Sequence, residues 1–116
     1  MISSFEAVVE PSRRQLLDLL LRAPSSVGDL VAATGMSQPN TSRHLRVLRE
    51  AGLVKSRPAG RQRIYEIHPE GFAALARWLT PYVMLWRGAR DASNAPAYPV
   101  STRRGAIEAS SPPSSS

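Results

Sequence analysis

The stretch Ser37-Gln38-Pro39-Asn40-Thr41-Ser42-Arg43-His44-Leu45-Arg46-Val47-Leu48-Arg49-Glu50-Ala51-Gly52 decides the fold. Ser37 suits an N-cap and Pro39 the first turn, so a helix starts there, continues through Ala51 and stops at Gly52. At about 100° per residue, Thr41, Leu45 and Leu48 fall within about 40° of one another and form the buried stripe. Pro39, Ser42, Arg43 and Arg46 lie on the opposite flank. Such a helix needs a scaffold beneath it and an anion above it.

The scaffold is legible upstream. Pro11 opens a helix in which Leu16, Leu17, Leu20 and Leu21 recur at helical spacing, ending near Arg22 to Pro24. Ser26, with Asp29 three residues on, caps a second helix over Val27 to Thr34, which Gly35 stops. Two short helices, a tight turn at Gly35-Met36 and a longer basic helix make a helix-turn-helix. Downstream the period changes to about two. Leu53 to Arg57, a turn at Pro58-Ala59-Gly60-Arg61 and Gln62 to Ile67 predict a β-hairpin with a basic tip, anchored by Tyr65 and Ile67 on its other face.

Pro69 opens a last helix with Phe72, Leu75, Ala76, Leu79, Val83 and Trp86 on one stripe, and Pro81 predicts a kink or break near Thr80. The expected fold is mainly α with a small β-hairpin, a winged helix-turn-helix. One domain over 1–92 carries it, followed by a disordered Ser-, Pro- and Ala-rich tail over 93–116.

Composition narrows the function. The 116 residues contain no cysteine, so disulfides, thiolate metal sites and a cysteine nucleophile are excluded. A membrane span and a signal peptide are not expected, and a cytoplasmic location is. The net charge of +6 arises from fourteen arginines and one lysine against nine acids. It is unevenly placed: residues 1–36 carry −1, 69–116 carry +2, and 37–68 carry +5, from Arg43, Arg46, Arg49, Lys55, Arg57, Arg61 and Arg63 against Glu50 and Glu66. That concentration on the basic helix and hairpin points to double-stranded DNA. No Ser/His/Asp arrangement, phosphate-binding glycine loop or carboxylate pair supports an enzyme.

The runs Glu10 to Leu20, Ser26 to Leu30, Ser37 to Val54 and Gly60 to Tyr65 together resemble the ArsR (arsenical-resistance-repressor) family of bacterial winged helix-turn-helix regulators. The resemblance implies a homodimeric repressor reading a palindromic operator near its own promoter. Metal-sensing members carry cysteines before the recognition helix, or His and Asp/Glu pairs on the last helix. With only His44 and His68, and no cysteine, this chain looks like a metal-ligand-free member with no cofactor. An unidentified small-molecule effector is a further candidate partner. Glu10 and His68 stand where the family tends to place Asp before a helix-opening proline, so weaker caps are expected there.

Recognition helices touch base edges mainly with their N-terminal residues, which makes Gln38, Asn40, Ser42 and Arg43 the candidates for base readout. Ser37, His44, Arg46, Arg49, Arg57, Arg61 and Arg63 are the candidates for the DNA backbone. Apolar side chains in excess of one small core, at Ile2, Phe5, Val9, Leu79, Tyr82, Val83 and Trp86, are expected to form the dimer interface. The alternative reading is a winged-helix module that binds protein or RNA without operator recognition.

Overall fold

A computed structural model of the chain describes residues 2–91; the expected tail lies outside them. The described residues form helices α1 (Ser4–Val9), α2 (Pro11–Arg22), α3 (Val27–Thr34), α4 (Gln38–Glu50) and α5 (Ala73–Asp91) and a three-stranded antiparallel sheet of β1 (Ser25–Ser26), β2 (Val54–Ala59) and β3 (Gln62–Ile67). A 3₁₀ turn, Pro69–Phe72, precedes α5. The chain divides into two compact units, one ending at Trp78 and one beginning at Leu79.

The caps follow the sequence closely. Ser26 and Asp29 form a reciprocal capping box, with Asp29 N–H donating to Ser26 Oγ at 3.1 Å and Ser26 N–H to the Asp29 carboxylate at 3.2 Å. Ser37 Oγ accepts from Asn40 N–H at 3.2 Å at the start of α4. That helix closes in a Schellman motif: Leu53 N–H donates to Leu48 O, Gly52 N–H donates to Arg49 O, and Gly52 adopts φ +83°. Glu10 caps α2 after all, accepting from Arg13 N–H at 3.0 Å. His68 makes no such bond and lies 3.3 Å from Glu70 instead.

Four features differ from the sequence reading. Helix α1 was not expected; its signal was the Ser3-x-x-Glu6 capping box, which the structure forms. The hairpin gains a third strand, because Ser25 and Ser26 pair with Tyr65 and Ile64. Its turn is shorter than expected: Pro58 and Ala59 belong to β2, leaving Gly60-Arg61 as a two-residue connection with φ +65° at Gly60. Pro58 is accommodated because β2 is an edge strand of the order β1-β3-β2. Finally, Pro69 opens a 3₁₀ turn and α5 starts only at Ala73, and of the kink or break expected at Pro81 the break is absent, since α5 continues through it.

The core of the first unit is Ala7, Leu16, Leu17, Leu20, Leu30, Leu45, Leu48, Leu53 and Val54, with Tyr65, Ile67 and Phe72 packed against it. Polar groups at its edge are paired. Thr41, fully buried, donates through Oγ1 to Ser37 O at 2.9 Å. Arg13 of α2 spans three helices: its Nε donates to Ala7 O at 2.8 Å, and its Nη1 lies 3.4 Å from His44 Nδ1 on α4. Arg14 covers the α1 carbonyls of Val8 and Val9 at 2.7 and 2.9 Å. A guanidinium only donates, so Nδ1 accepts and the imidazole is neutral. Burial holds the His44 pKa below its ordinary value; the Glu10 carboxylate opposes this, and the Arg13 and Arg43 charges add to it. The backbone hydrogen bond from Arg13 lowers the pKa of Glu10.

Two predictions follow from this packing. A Cβ on Gly71 would lie 1.8 Å from Gly52 O and 2.6 Å from its carbonyl carbon, so Gly71→Ala must push the 3₁₀ turn off the end of α4. It should cost about 1–3 kcal/mol in urea unfolding, whereas Gly88→Ala, in open space, should be neutral or stabilising. For His44, a folded pKa below the unfolded one means that the unfolded chain binds the proton first. Stability should therefore fall as pH drops below about 6.5, by at most about 1.4 kcal/mol per pH unit, and level off once the folded ring protonates. Glu10 adds a separate loss below its ordinary carboxylate range. Unfolding midpoints from neutral to mildly acid pH should show a shallower slope for His44→Gln; an unchanged slope would remove His44 as its source.

Candidate nucleic-acid interface

With Thr41, His44, Leu45 and Leu48 buried, α4 presents Gln38, Ser42, Arg43, Arg46 and Arg49 to solvent. Asn40 is half-buried. Ser37 is exposed, but its hydroxyl already serves as the helix cap. The four residues expected to read bases thus share the N-terminal half of one helix. Arg43 Nη2 donates to Asn40 Oδ1, which ties two of them together.

His44 does not belong with the backbone contacts. At 7% exposure it is an inner group, held against Arg13, because its place on the helix turns it toward α2 rather than outward. Its position beside Leu45 on the inner flank was the sequence signal for this.

The wing arginines are also arranged differently from the expectation that they oppose Tyr65 and Ile67. Strand register pairs Arg57 with Ile64, and Pro58 with Arg63. Side chains alternate along a strand, so Arg57 shares a face with Lys55 and Ile64, while Arg63 shares one with Tyr65 and Ile67. Arg63 reaches across that face to Ser56 Oγ, at 3.3 Å from Nε and 3.2 Å from Nη2. Arg61 occupies the tight turn. The wing is therefore charged on both faces, which a period-two alternation dictates but a simple basic-tip picture hides.

Between wing and helices lies a cleft of about 330 Å³, lined by Ser26, Val27 and Gly28 at the start of α3, Gln38 of α4, and Arg61, Gln62, Arg63 and Tyr65. Among the described residues, none of Arg43, Arg46, Arg49, Lys55, Arg57, Arg61 and Arg63 lies within ion-pairing distance of a carboxylate. Their positive potential is left uncompensated by the protein. Also among the described residues, no group of three or more His, Asp or Glu is placed to hold a metal ion, and no helix is long and apolar enough to cross a membrane.

Comparison with known proteins agrees with this geometry. Residues 10–56 match the family model for bacterial regulatory proteins of the arsR family. The chain is 38% identical over 90 residues to the HTH-type transcriptional regulator Rv2034 of Mycobacterium tuberculosis, covering 71% of this chain and 84% of that one. A solved structure of a possible transcriptional regulator for arsenical resistance superposes with a TM-score of 0.66 at 38% identity, over 79% of this chain and 98% of that one. The homodimeric winged helix-turn-helix DNA-binding domain of Mb0332 from Mycobacterium bovis gives 0.56 at 32% identity, over 66% and 71%. The chain belongs to the arsR family of bacterial regulatory proteins, as a winged helix-turn-helix transcription regulator.

Proposed function

We propose that the protein binds a palindromic operator as a homodimer in the cytoplasm and represses transcription from it. The observation that carries this reading is the array of cations without carboxylate partners on the outer face of α4 and on the wing, with the inner face of α4 buried in the core. In this reading Gln38, Asn40, Ser42 and Arg43 enter the major groove, where Gln and Asn match the adenine edge and Arg the guanine edge. Ser37, Arg46, Arg49, Arg57, Arg61 and Arg63 meet phosphate or the adjacent minor groove.

Two copies are needed because one recognition helix spans few base pairs. A twofold pair reaches half-sites about 34–36 Å apart and couples their affinities. Each unit exposes apolar surface that a second copy would cover. In the first, Phe5 is 40% and Val9 69% exposed, and Phe5 packs edge-on against Trp78 at 6.0 Å between ring centroids. In the second, Leu79, Tyr82 and Trp86 are about half exposed. Ile2 and Val83 are partly covered already and complete the interface we assign. The relative from Mycobacterium bovis, homodimeric by its description, supports this assembly.

Binding to the chain's own upstream region should exceed binding to random duplex by at least about 10³-fold at physiological salt. Equal affinity would favour the protein- or RNA-binding alternative. Replacing Arg61 and Arg63 together by Ala should lower affinity for every sequence and flatten log K against log salt by up to about two phosphates, at roughly −0.9 each. An unchanged slope would take the wing out of the interface.

Light scattering tests the assembly. A chain truncated after Asp91 should remain dimeric, whereas Trp86→Glu or removal of residues 1–9 should give monomers or aggregates without specific binding. A tight dimer after the N-terminal deletion would place the interface elsewhere.

A further inference from the structure

The three side chains Met36, Asn40 and Arg43 form a chain of contacts across the outer start of α4. Arg43 Nη2 donates to Asn40 Oδ1, and Asn40 Nδ2 donates to Met36 Sδ at 3.9 Å. The direction of the amide follows from chemistry. A guanidinium carries only donors, so the amide oxygen must face Arg43 and the NH₂ must turn the other way. There it meets the thioether of Met36, a weak acceptor in the turn between α3 and α4. The backbone of Asn40 is fixed as well, its N–H being held by Ser37 Oγ.

Asn40 is thereby half-buried and occupied at both ends of its amide, while Arg43 is exposed. A free asparagine recognises adenine by accepting from one group and donating to another; here the oxygen and the NH₂ each already hold one partner, and the tethers to Arg43 and Met36 set which way the remaining lone pair and N–H of the amide point. The arginine loses nothing comparable, because its remaining N–H groups suffice for two parallel bonds to one guanine edge.

We propose that Asn40 is a positioning residue for Arg43 rather than an independent base reader: anchored by Met36, it holds the guanidinium ready for a guanine in each half-site. The advantage is preorganisation. An untethered arginine must be ordered when it binds, and the tether removes part of that cost before DNA arrives. This inference rests on the operator-binding reading above and refines which side chain sets sequence preference.

The test is half-site selection with the full-length protein and its variants, read position by position. Arg43→Ala should lose roughly tenfold discrimination at one guanine-bearing position. Asn40→Ala should lose several-fold at that same position, and the double variant should be no worse there than Arg43→Ala alone. Asn40→Asp keeps an acceptor for Arg43; it should weaken binding to all sequences through its charge yet retain the guanine preference. Met36→Leu, close in volume but without the acceptor, should relax preference at that position and no other. The proposal is overturned if Asn40→Ala erodes a different, adenine-bearing position and its effect multiplies with that of Arg43→Ala. Failure of the unaltered protein to prefer any sequence would instead overturn operator binding itself, a separate result.

Discussion

The outer face of α4 is set by what lies beneath it. Leu45 and Leu48 are fully buried against the leucines of α2 and α3, and Thr41 returns its hydroxyl to Ser37 O one turn back. A helix with three such side chains in its inner stripe cannot rotate about its axis without opening a cavity or exposing a polar group, at a cost of some 2–5 kcal/mol per displaced leucine. Rotation is the degree of freedom that decides which residues meet a ligand. By removing it, the core assigns Gln38, Ser42, Arg43 and Arg46 to the surface as surely as their own chemistry does. Arg13 supplies the polar counterpart, linking the last turn of α1 to His44 through donors that a lysine could not arrange in the same plane.

The ends of the helices are governed separately from their faces. Each of α1, α2, α3 and α4 starts with a side chain that accepts from the first turn, and α3 and α4 stop at glycines with positive φ. The stop at Gly52 has a further role, since its carbonyl is approached so closely by Gly71 that no side chain fits between them. The Leu53 carbonyl then accepts from His68 N–H at 3.0 Å. Two glycines and one backbone hydrogen bond thus tie the end of the recognition helix to the end of the wing. The wing's orientation is consequently a property of the backbone rather than of the arginines it carries.

These two constraints explain what could be read from sequence. Caps and periodicity are local, so α2, α3, α4 and the hairpin were legible with boundaries within a residue or two of those observed. The N-terminal helix α1 was equally local in its Ser3-x-x-Glu6 box, but its six residues bury only Ala7 and are too few for a periodicity to stand out. The strand Ser25–Ser26 was not legible, because a two-residue strand exists only where a distant edge, here Tyr65 and Ile64, is available to pair with it. The Arg13 contact of His44 and the Gly52–Gly71 approach are likewise long-range. At Pro81 the sequence allowed a kink or a break, because proline removes one donor and crowds one carbonyl; the structure excludes the break, since α5 runs on through it.

The separation of charge from core has its own consequence. None of the seven cations on α4 and the wing is among the buried core residues. Their mutual repulsion is screened by water and salt, costing the fold little. The same charges, brought against a polyanion, act together through counterion release. A scaffold that keeps its stabilising groups on one side of a helix and its binding groups on the other can therefore change what it binds without refolding. Asn40 and Met36 are where the two sides touch, since both belong to the turn that starts α4 and both contact, directly or through each other, the most N-terminal arginine of the outer face. In the operator-binding reading proposed above, sequence preference is accordingly coupled to the fold at that one turn.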